Sequence, residues 1–116
     1  DTKIIRFPGG SSNTISSFNK GIMSYLSKDV LKNGFHYFDW NVSAEDAYLR
    51  SEKEVYNNVI YGLSKNRSNV VLLHDFYNNY KTLNALDKII KDAKLKGYVF
   101  SNITYNTPMV HHSINN

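Results

Sequence analysis

The sequence predicts an α/β protein with about four parallel strands and three helices. Segments with strand character alternate with segments in which apolar residues recur at helical spacing, and strand–helix–strand connections are typical of parallel sheets. Residues 70–73 form an uninterrupted apolar run that is too short for a helix, which indicates a strand buried on both faces. Polar clusters follow three of the predicted strands, at the strand ends where α/β proteins build their sites.

The first predicted unit is a strand at residues 4–7 followed by a helix. Pro8 cannot donate to a β-ladder, and Gly9-Gly10 permits the backbone angles of a tight turn, so the strand must end there. Asn33-Gly34 closes the helix. The apolar residues that recur at helical spacing along it are Ile15, Phe18, Ile22, Leu26 and Val30.

The second predicted unit is an aromatic-rich strand at residues 35–42, a polar loop and a helix that begins after Ser51. Ser51 and Glu54 have the spacing of a capping box, in which each side chain accepts a hydrogen bond from the other residue's backbone N–H. The buried stripe of this helix is predicted to be Val55, Val59, Ile60 and Leu63.

The third predicted unit is the strand at residues 70–73 and a helix at residues 82–96 that stops at Gly97. A short strand at residues 98–100 is expected to follow, before an irregular tail. The buried positions of the third helix are predicted to be Leu83, Leu86, Ile89, Ile90 and Ala93.

Composition and charge argue against several classes of protein. The chain has 116 residues, which fits one domain, and its 41% hydrophobic content is ordinary for a globular protein. Without cysteines it has neither disulfides nor thiolate metal sites, and no apolar run approaches the roughly 20 residues of a membrane-spanning helix. The net charge of +4 is modest and the lysines at residues 88–96 are spaced like one solvated helix face, so we predict no nucleic-acid partner.

His74 is the first candidate for a catalytic residue, because it directly follows the strand at residues 70–73. The polar segments at residues 6–11 and 40–46 follow two other predicted strands, so we expect all of them on one rim of the sheet. The alternative is that His74 only caps the strand by hydrogen bonding. Likewise, His111-His112 is expected to be packed or solvated rather than a metal site, since adjacent side chains on an extended segment point apart.

These segments, in this order, resemble three motifs of the polysaccharide deacetylases, the metal-dependent carbohydrate esterases that remove acetyl groups from chitin, peptidoglycan and xylan. Arg6-Phe7-Pro8-Gly9-Gly10-Ser11 resembles the third motif, Arg-x-Pro, in the Gly-Gly-Ser form of bacterial cell-wall enzymes. The sequence Trp-Asn-Val-Ser-Ala-Glu-Asp at residues 40–46 resembles the fourth, and Leu72-Leu73-His74 the fifth. The resemblance implies that residues 1–116 are the C-terminal part of a catalytic domain, the second half of an irregular parallel (β/α) barrel.

The resemblance also implies catalytic roles for three residues. His74 would be the general acid that protonates the leaving amine, and Asp46 would hold that histidine in orientation. Arg6 would pair with the catalytic-base carboxylate. The alternatives are that Arg6 is a surface residue of a strand and that Asp46 caps a loop.

Substrate-binding roles follow from the same resemblance. Leu72 would line the pocket for the acetyl methyl, and the backbone N–H of Gly9, after Pro8, would help to bind the oxyanion. Trp40 would form one wall of the groove that binds the sugar chain. The alternative is that Trp40 is an ordinary aromatic residue of the core.

Two departures from the family pattern limit what the chain can do alone. Ser43, Glu45 and Ala47 stand where many members carry Asp, Arg and Trp, which weakens the alignment of Asp46. The motifs that would carry the catalytic base and the metal ligands have no counterpart in this sequence. We therefore expect a divalent metal, Zn or Co, in the complete domain and no tight metal binding by this chain alone.

The leading hypothesis is a metal-dependent deacetylase of an N-acetylglucosamine polymer, with peptidoglycan preferred, acting outside the cell or in its envelope. The expected partners are the polysaccharide and either the N-terminal half of the same domain or a second copy that pairs with an exposed sheet edge. The alternative is a non-catalytic glycan-binding or envelope module that kept the groove and lost the metal site. A third hypothesis, a phosphate loop at residues 9–11, lacks the Gly-Lys ending of a P-loop.

Overall fold

The computed structural model describes residues 1–48 and 50–116. This part of the chain divides into two compact units. The first unit comprises residues 1–40 and 103–116, and the second comprises residues 41–102. Each unit contains a pair of parallel strands and helical connections, which confirms the predicted α/β class.

In the first unit, β1 (Ile4–Ile5) pairs in parallel with β2 (His36–Tyr37). Parallel strands need a crossover connection, and α1 (Ile22–Lys32) supplies it. The buried core of this unit is formed by Phe7, Met23 and Tyr37, against which five further apolar side chains pack: Ile5, Ile22, Leu26, Val30 and Ile114.

The first helix is shorter than its apolar pattern predicts, because the first two residues of that pattern lie outside it. Ile15 and Phe18 lie in a separate 3₁₀ turn and are 83% and 88% exposed. Gly21, which has a φ of 80°, separates this turn from α1. The polar residues around the turn explain the break, because side chains such as Asn13, which accepts a hydrogen bond from Ser16 N, compete with continuous helical hydrogen bonding.

In the second unit, β3 (Val42–Ser43) pairs in parallel with β4 (Val71–Leu72). The crossover between them is α2 (Glu52–Gly62), and α3 (Tyr80–Leu95) follows β4. Gly62 lets α2 approach the sheet closely, since a Cβ at this position would lie 2.8 Å from a Val42 methyl carbon. The core comprises residues of these strands and helices: Val42, Ala44, Val55, Val59, Ile60, Ala85, Ile89 and Ala93.

The capping box of α2 is confirmed. The Ser51 hydroxyl accepts a hydrogen bond from Glu54 N at 3.1 Å, and the Glu54 carboxylate accepts one from Ser51 N at 2.6 Å. The predicted stripe of α2 is also buried or partly buried. In α3, by contrast, Leu83 was predicted to be buried and is 64% exposed, because the buried face of that helix begins at Thr82 instead.

The predicted strands differ from the observed ones in three places. The strand at residues 35–42 is two separate strands, β2 and β3, which belong to different units. Residues 98–100 are not a strand, because Tyr98 packs against the core while Val99 and Phe100 are exposed and have no ladder to join. Residues 70–73 are partly buried rather than fully buried. None of the described helices is long and apolar enough to span a membrane.

Candidate functional site

His74 and Asp46, two residues singled out from the sequence, are in direct contact in the second unit. His74 lies two residues beyond β4, and its Nδ1 is 2.7 Å from Asp46 Oδ1. The backbone N–H of His74 also donates to Asp46 Oδ2 at 2.8 Å. Asp46 is fully buried, whereas the His74 side chain is 37% exposed, so the pair presents its imidazole to solvent.

The Asp46 carboxylate is held by donors from α3 as well as by His74. Thr82 Oγ1 donates to Asp46 Oδ2 at 2.7 Å, and Asn79 Nδ2 lies 3.4 Å from the same oxygen. Burial by itself would raise the pKa of Asp46, but the hydrogen bonds from His74 and Thr82 outweigh it and hold this pKa below its ordinary value. Asp46 is therefore a carboxylate at neutral pH and acts only as a hydrogen-bond acceptor.

Asn79 fixes the turn that follows His74. Its Nδ2 donates to the His74 carbonyl at 2.7 Å, and its backbone N–H donates to the Phe76 carbonyl at 3.1 Å. Asn78, which lies between Phe76 and Asn79 in this turn, has a φ of 63°, a left-handed conformation that asparagine tolerates better than most residues. The turn thus ties the end of β4 to the start of α3.

In the first unit, the segment after β1 forms a turn around Pro8 and Gly9. Gly10 N donates to the Phe7 carbonyl at 2.8 Å, and Gly9 has a φ of 72°. Proline at the second position and a glycine with positive φ at the third are typical of a type II β-turn. Gly10 also has a positive φ, and a Cβ there would lie 2.9 Å from the Trp40 ring, so the indole packs directly against its backbone.

Trp40 is flanked by two further candidates from the sequence. The Arg6 guanidinium carbon is 6.0 Å from the centroid of the indole, and Arg6 is exposed. The His112 ring meets the indole edge-on, with centroids 4.6 Å apart. The other tail histidine, His111, stacks on Tyr37 with centroids 3.7 Å apart, so both histidines pack against aromatic side chains.

Asp39 is a buried carboxylate that the sequence analysis missed. It is 1% exposed, and it accepts hydrogen bonds from Ser11 N at 2.7 Å, from the Ser11 hydroxyl, and from His112 N at 2.8 Å. Burial would raise the pKa of Asp39, but these hydrogen bonds, with that of the Ser11 hydroxyl foremost, hold it below its ordinary value. A signal was available, since Asp39 lies next to Trp40 near the end of a predicted strand.

The described part of the chain lacks a group of side chains that could hold a metal ion. Among residues 1–48 and 50–116, no three His, Asp or Glu side chains are grouped closely enough to form a metal site. The residues present therefore do not fit the metal that the family resemblance implies, and no reaction step on this chain is written through one.

Comparison with known proteins gives two relatives, while no family model matches the chain. The protein of Bacillus subtilis (strain 168) named "Putative polysaccharide deacetylase YheN" is 31% identical over 105 residues. That match covers 85% of this chain and 33% of the relative.

A crystal structure superimposes on almost the whole chain. It is that of the catalytic domain of peptidoglycan N-acetylglucosamine deacetylase from Eubacterium rectale ATCC 33656, with 45% identity and a TM-score of 0.88. The match covers 97% of this chain and 52% of the solved chain. This chain thus spans about half of that chain and about a third of the curated relative.

Proposed function

Since this chain corresponds to part of a polysaccharide deacetylase catalytic domain, we propose that it contributes the proton donor of a hydrolytic deacetylation. The observation that carries the proposal is the His74–Asp46 pair. A strand-end histidine with an exposed ring and a buried, ionised carboxylate on one nitrogen has the arrangement of a general acid and its orienting group.

We propose a distinct task for each nitrogen of His74. The Asp46 carboxylate can only accept a hydrogen bond, so Nδ1 carries a hydrogen atom and donates a hydrogen bond to Oδ1. Nε2 is then the nitrogen that can give a proton to the substrate. When the C–N bond of the acetamide breaks, that proton passes to the departing nitrogen, and the sugar leaves as a neutral amine rather than as an amide anion.

Asp46 would support this transfer through orientation. As the acceptor at Nδ1, it fixes the tautomer of the ring and leaves Nε2 for the substrate. It also keeps the ring from rotating about its side-chain bonds, so that Nε2 stays directed at the leaving group.

We propose binding roles for residues near each strand end. Leu72, partly buried in β4 two residues before His74, would contact the acetyl methyl, where a small apolar surface favours acetyl over longer acyl groups. The turn at Pro8-Gly9 is rigid because proline fixes its φ, and the Gly9 N–H would donate to the oxyanion of the tetrahedral intermediate. Trp40 would stack against a sugar ring.

Arg6 would pair with the catalytic-base carboxylate of the complete domain. Its exposed guanidinium, supported on one side by the Trp40 ring, is free to make a charge-assisted hydrogen bond. The rest of the domain would also hold the divalent metal, Zn or Co, which would supply Lewis-acid chemistry at the acetyl carbonyl and at a water molecule. Its N-terminal half is our proposed partner for the edges of the short sheets.

We propose peptidoglycan as the polymer and the cell envelope or extracellular space as the location. The Gly-Gly-Ser form of the Arg-x-Pro segment supports this choice, as does the likeness to a peptidoglycan N-acetylglucosamine deacetylase. An insoluble wall polymer can be reached only by an exported enzyme.

Acetate release by the complete domain tests the proposal. With metal and an N-acetylglucosamine oligomer or peptidoglycan, His74→Ala should lower kcat by about 10²–10⁴-fold, the usual contribution of a positioned acid. His111→Gln, which changes a histidine packed on Tyr37, serves as the control and should retain most activity. Full activity of His74→Ala would return His74 to a strand-capping role. A wild-type domain that binds the polymer but releases no acetate would support the non-catalytic glycan-binding module instead.

A further inference from the structure

We infer that Thr82 is a positioning residue for the reaction, acting through Asp46, and that Asn79 assists it. The inference rests on the proposed function, because it assigns to α3 the task of aiming the orienting carboxylate at His74. It starts from the way in which the two oxygens of Asp46 divide their hydrogen bonds.

Each oxygen of the Asp46 carboxylate has its own set of donors. Oδ1 accepts a hydrogen bond from His74 Nδ1 at 2.7 Å. Oδ2 accepts hydrogen bonds from His74 N at 2.8 Å and from Thr82 Oγ1 at 2.7 Å, and Asn79 Nδ2 lies 3.4 Å from it. A carboxylate can rotate about its Cβ–Cγ bond, so donors fixed on one oxygen determine where the other oxygen points. The donors on Oδ2 therefore hold Oδ1 against the imidazole.

Thr82 suits this task because of where it lies and how stiff it is. It is buried in the first turn of α3, and a β-branched side chain in a helix has few χ1 rotamers, so its hydroxyl is held in place. The N-terminal end of a helix also favours negative charge, which stabilises Asp46 as a carboxylate. The Thr82 hydroxyl and the N-terminal end of α3 thus both favour the carboxylate form of Asp46.

The start of α3 lacks the side-chain capping hydrogen bond that its N-cap residue, Asn79, could make. Asn79 occupies a position where asparagine usually accepts a hydrogen bond from the helix N–H groups, yet its side chain makes no such bond. Its Nδ2 instead donates to the His74 carbonyl at 2.7 Å, and its Oδ1 accepts from Lys81. A residue that departs from its local preference is expected at a functional site rather than in ordinary packing.

The charged groups around Asp46 set the sign of the expected effect. His74 faces Asp46 directly, Lys81 is linked to it through Asn79 by two hydrogen bonds, and Asp75 is exposed beyond the strand end. Removing the Thr82 hydroxyl takes a hydrogen bond from the ionised form of Asp46 and leaves these charges unchanged. The pKa of Asp46 should therefore rise, because one of the hydrogen bonds that favour its carboxylate form is lost.

The test compares Thr82→Val, which keeps the shape and removes the hydroxyl, with Thr82→Ser, which keeps the hydroxyl. In the protein carrying the complete domain, Thr82→Val should raise the pH at which the Asp46 carboxyl protonates, read by ¹³C NMR, by about half a unit or more. It should also lower kcat about 3–10-fold with little change in KM, because the carboxylate that aims His74 is held less firmly. Thr82→Ser, which keeps the hydroxyl on a less restricted side chain, should lose less than Thr82→Val, and Asn84→Ala, in the same helix, controls for general effects on α3.

The outcomes separate this inference from the proposed function. If Thr82→Val lowers thermal stability but leaves both the Asp46 titration and kcat unchanged, Thr82 is structural and the inference is overturned. The NMR titration needs no turnover, so it decides the matter even if the wild-type domain releases no acetate. Should Thr82→Val fail to fold, Thr82→Ala, which imposes no new methyl group, answers the same question.

Discussion

Asp39→Asn is expected to destabilise the first unit by about 2–4 kcal/mol at neutral pH. The magnitude follows from the donors around the carboxylate. Hydrogen bonds to charged groups contribute about 1.5–3 kcal/mol each, and a buried donor left without an acceptor costs about 1–3 kcal/mol. Asparagine offers one acceptor oxygen in place of two, so its NH₂ group must face a donor from Ser11 or His112. The loss is therefore more than one hydrogen bond, since the remaining bonds also weaken when the charge is removed.

Urea unfolding followed by Trp40 fluorescence is the appropriate assay. Trp40 is the single tryptophan of the chain and directly follows Asp39, so its signal reports on the first unit. The matched control is Asp87→Asn, which changes an exposed aspartate of α3 and should alter stability by no more than about 0.5 kcal/mol. If the two variants unfold at the same urea concentration, the network around Asp39 does not stabilise the unit and the reasoning fails.

The pH dependence provides an independent check on the same carboxylate. The pKa of Asp39 is lowered in the folded protein, so its stabilising contribution is fully present above the ordinary value of 3.8 and is lost as the pH falls through the lowered folded value. The difference between wild type and Asp39→Asn should thus be largest at neutral pH and shrink in strong acid. A difference that grows as the pH falls would show that the pKa shift has the opposite sign.

Four further predictions follow. In the complete domain, Asp46→Asn should lower kcat less than His74→Ala and add little to the loss in the double variant; additive losses would mean independent roles. Gly10→Ala should cost about 1–3 kcal/mol and shift the Trp40 emission, because φ is 80° and the new methyl would lie 2.9 Å from the indole; an unchanged spectrum would contradict this packing. This chain alone should bind Zn²⁺ or Co²⁺ weakly by calorimetry, so one tight site insensitive to His111 and His112 variants would show that a metal centre was overlooked. Light scattering should detect association of the isolated chain, and a folded monomer at high dilution would refute the exposed-edge argument.

The parts of the fold that depend on neighbouring residues were predictable from the sequence. The capping box of Ser51 and Glu54 and the buried stripe of α2 involve positions within one or two turns of each other. Ile15 and Phe18 were wrongly placed in the first helix. Apolar spacing alone does not reveal a left-handed glycine such as Gly21, or the side chains before it that compete for backbone hydrogen bonds. Periodicity is a weak guide where the backbone changes conformation.

The candidate site shows the same limit at longer range. The resemblance brought Asp46 and His74 together, and the structure places them in hydrogen-bond contact, although their catalytic roles stay predictions. Thr82 was not predicted, because a threonine on a helix carries no mark of a carboxylate 36 positions earlier. Asp39 and Ser11 are likewise 28 positions apart, and only the tertiary structure pairs them.

The contacts of Asp39 have a consequence for the order of folding. The carboxylate joins Ser11, 28 positions earlier, to His112, 73 positions later, and closing such large loops costs chain entropy before any contact can repay it. Helices such as α2 can form from local interactions long before these ends meet. During synthesis, Asp39 can accept the two hydrogen bonds of Ser11 before the third donor, His112 N, has left the ribosome. The network that holds the segment after Pro8-Gly9 is therefore completed by a part of the chain that is made much later than the turn itself.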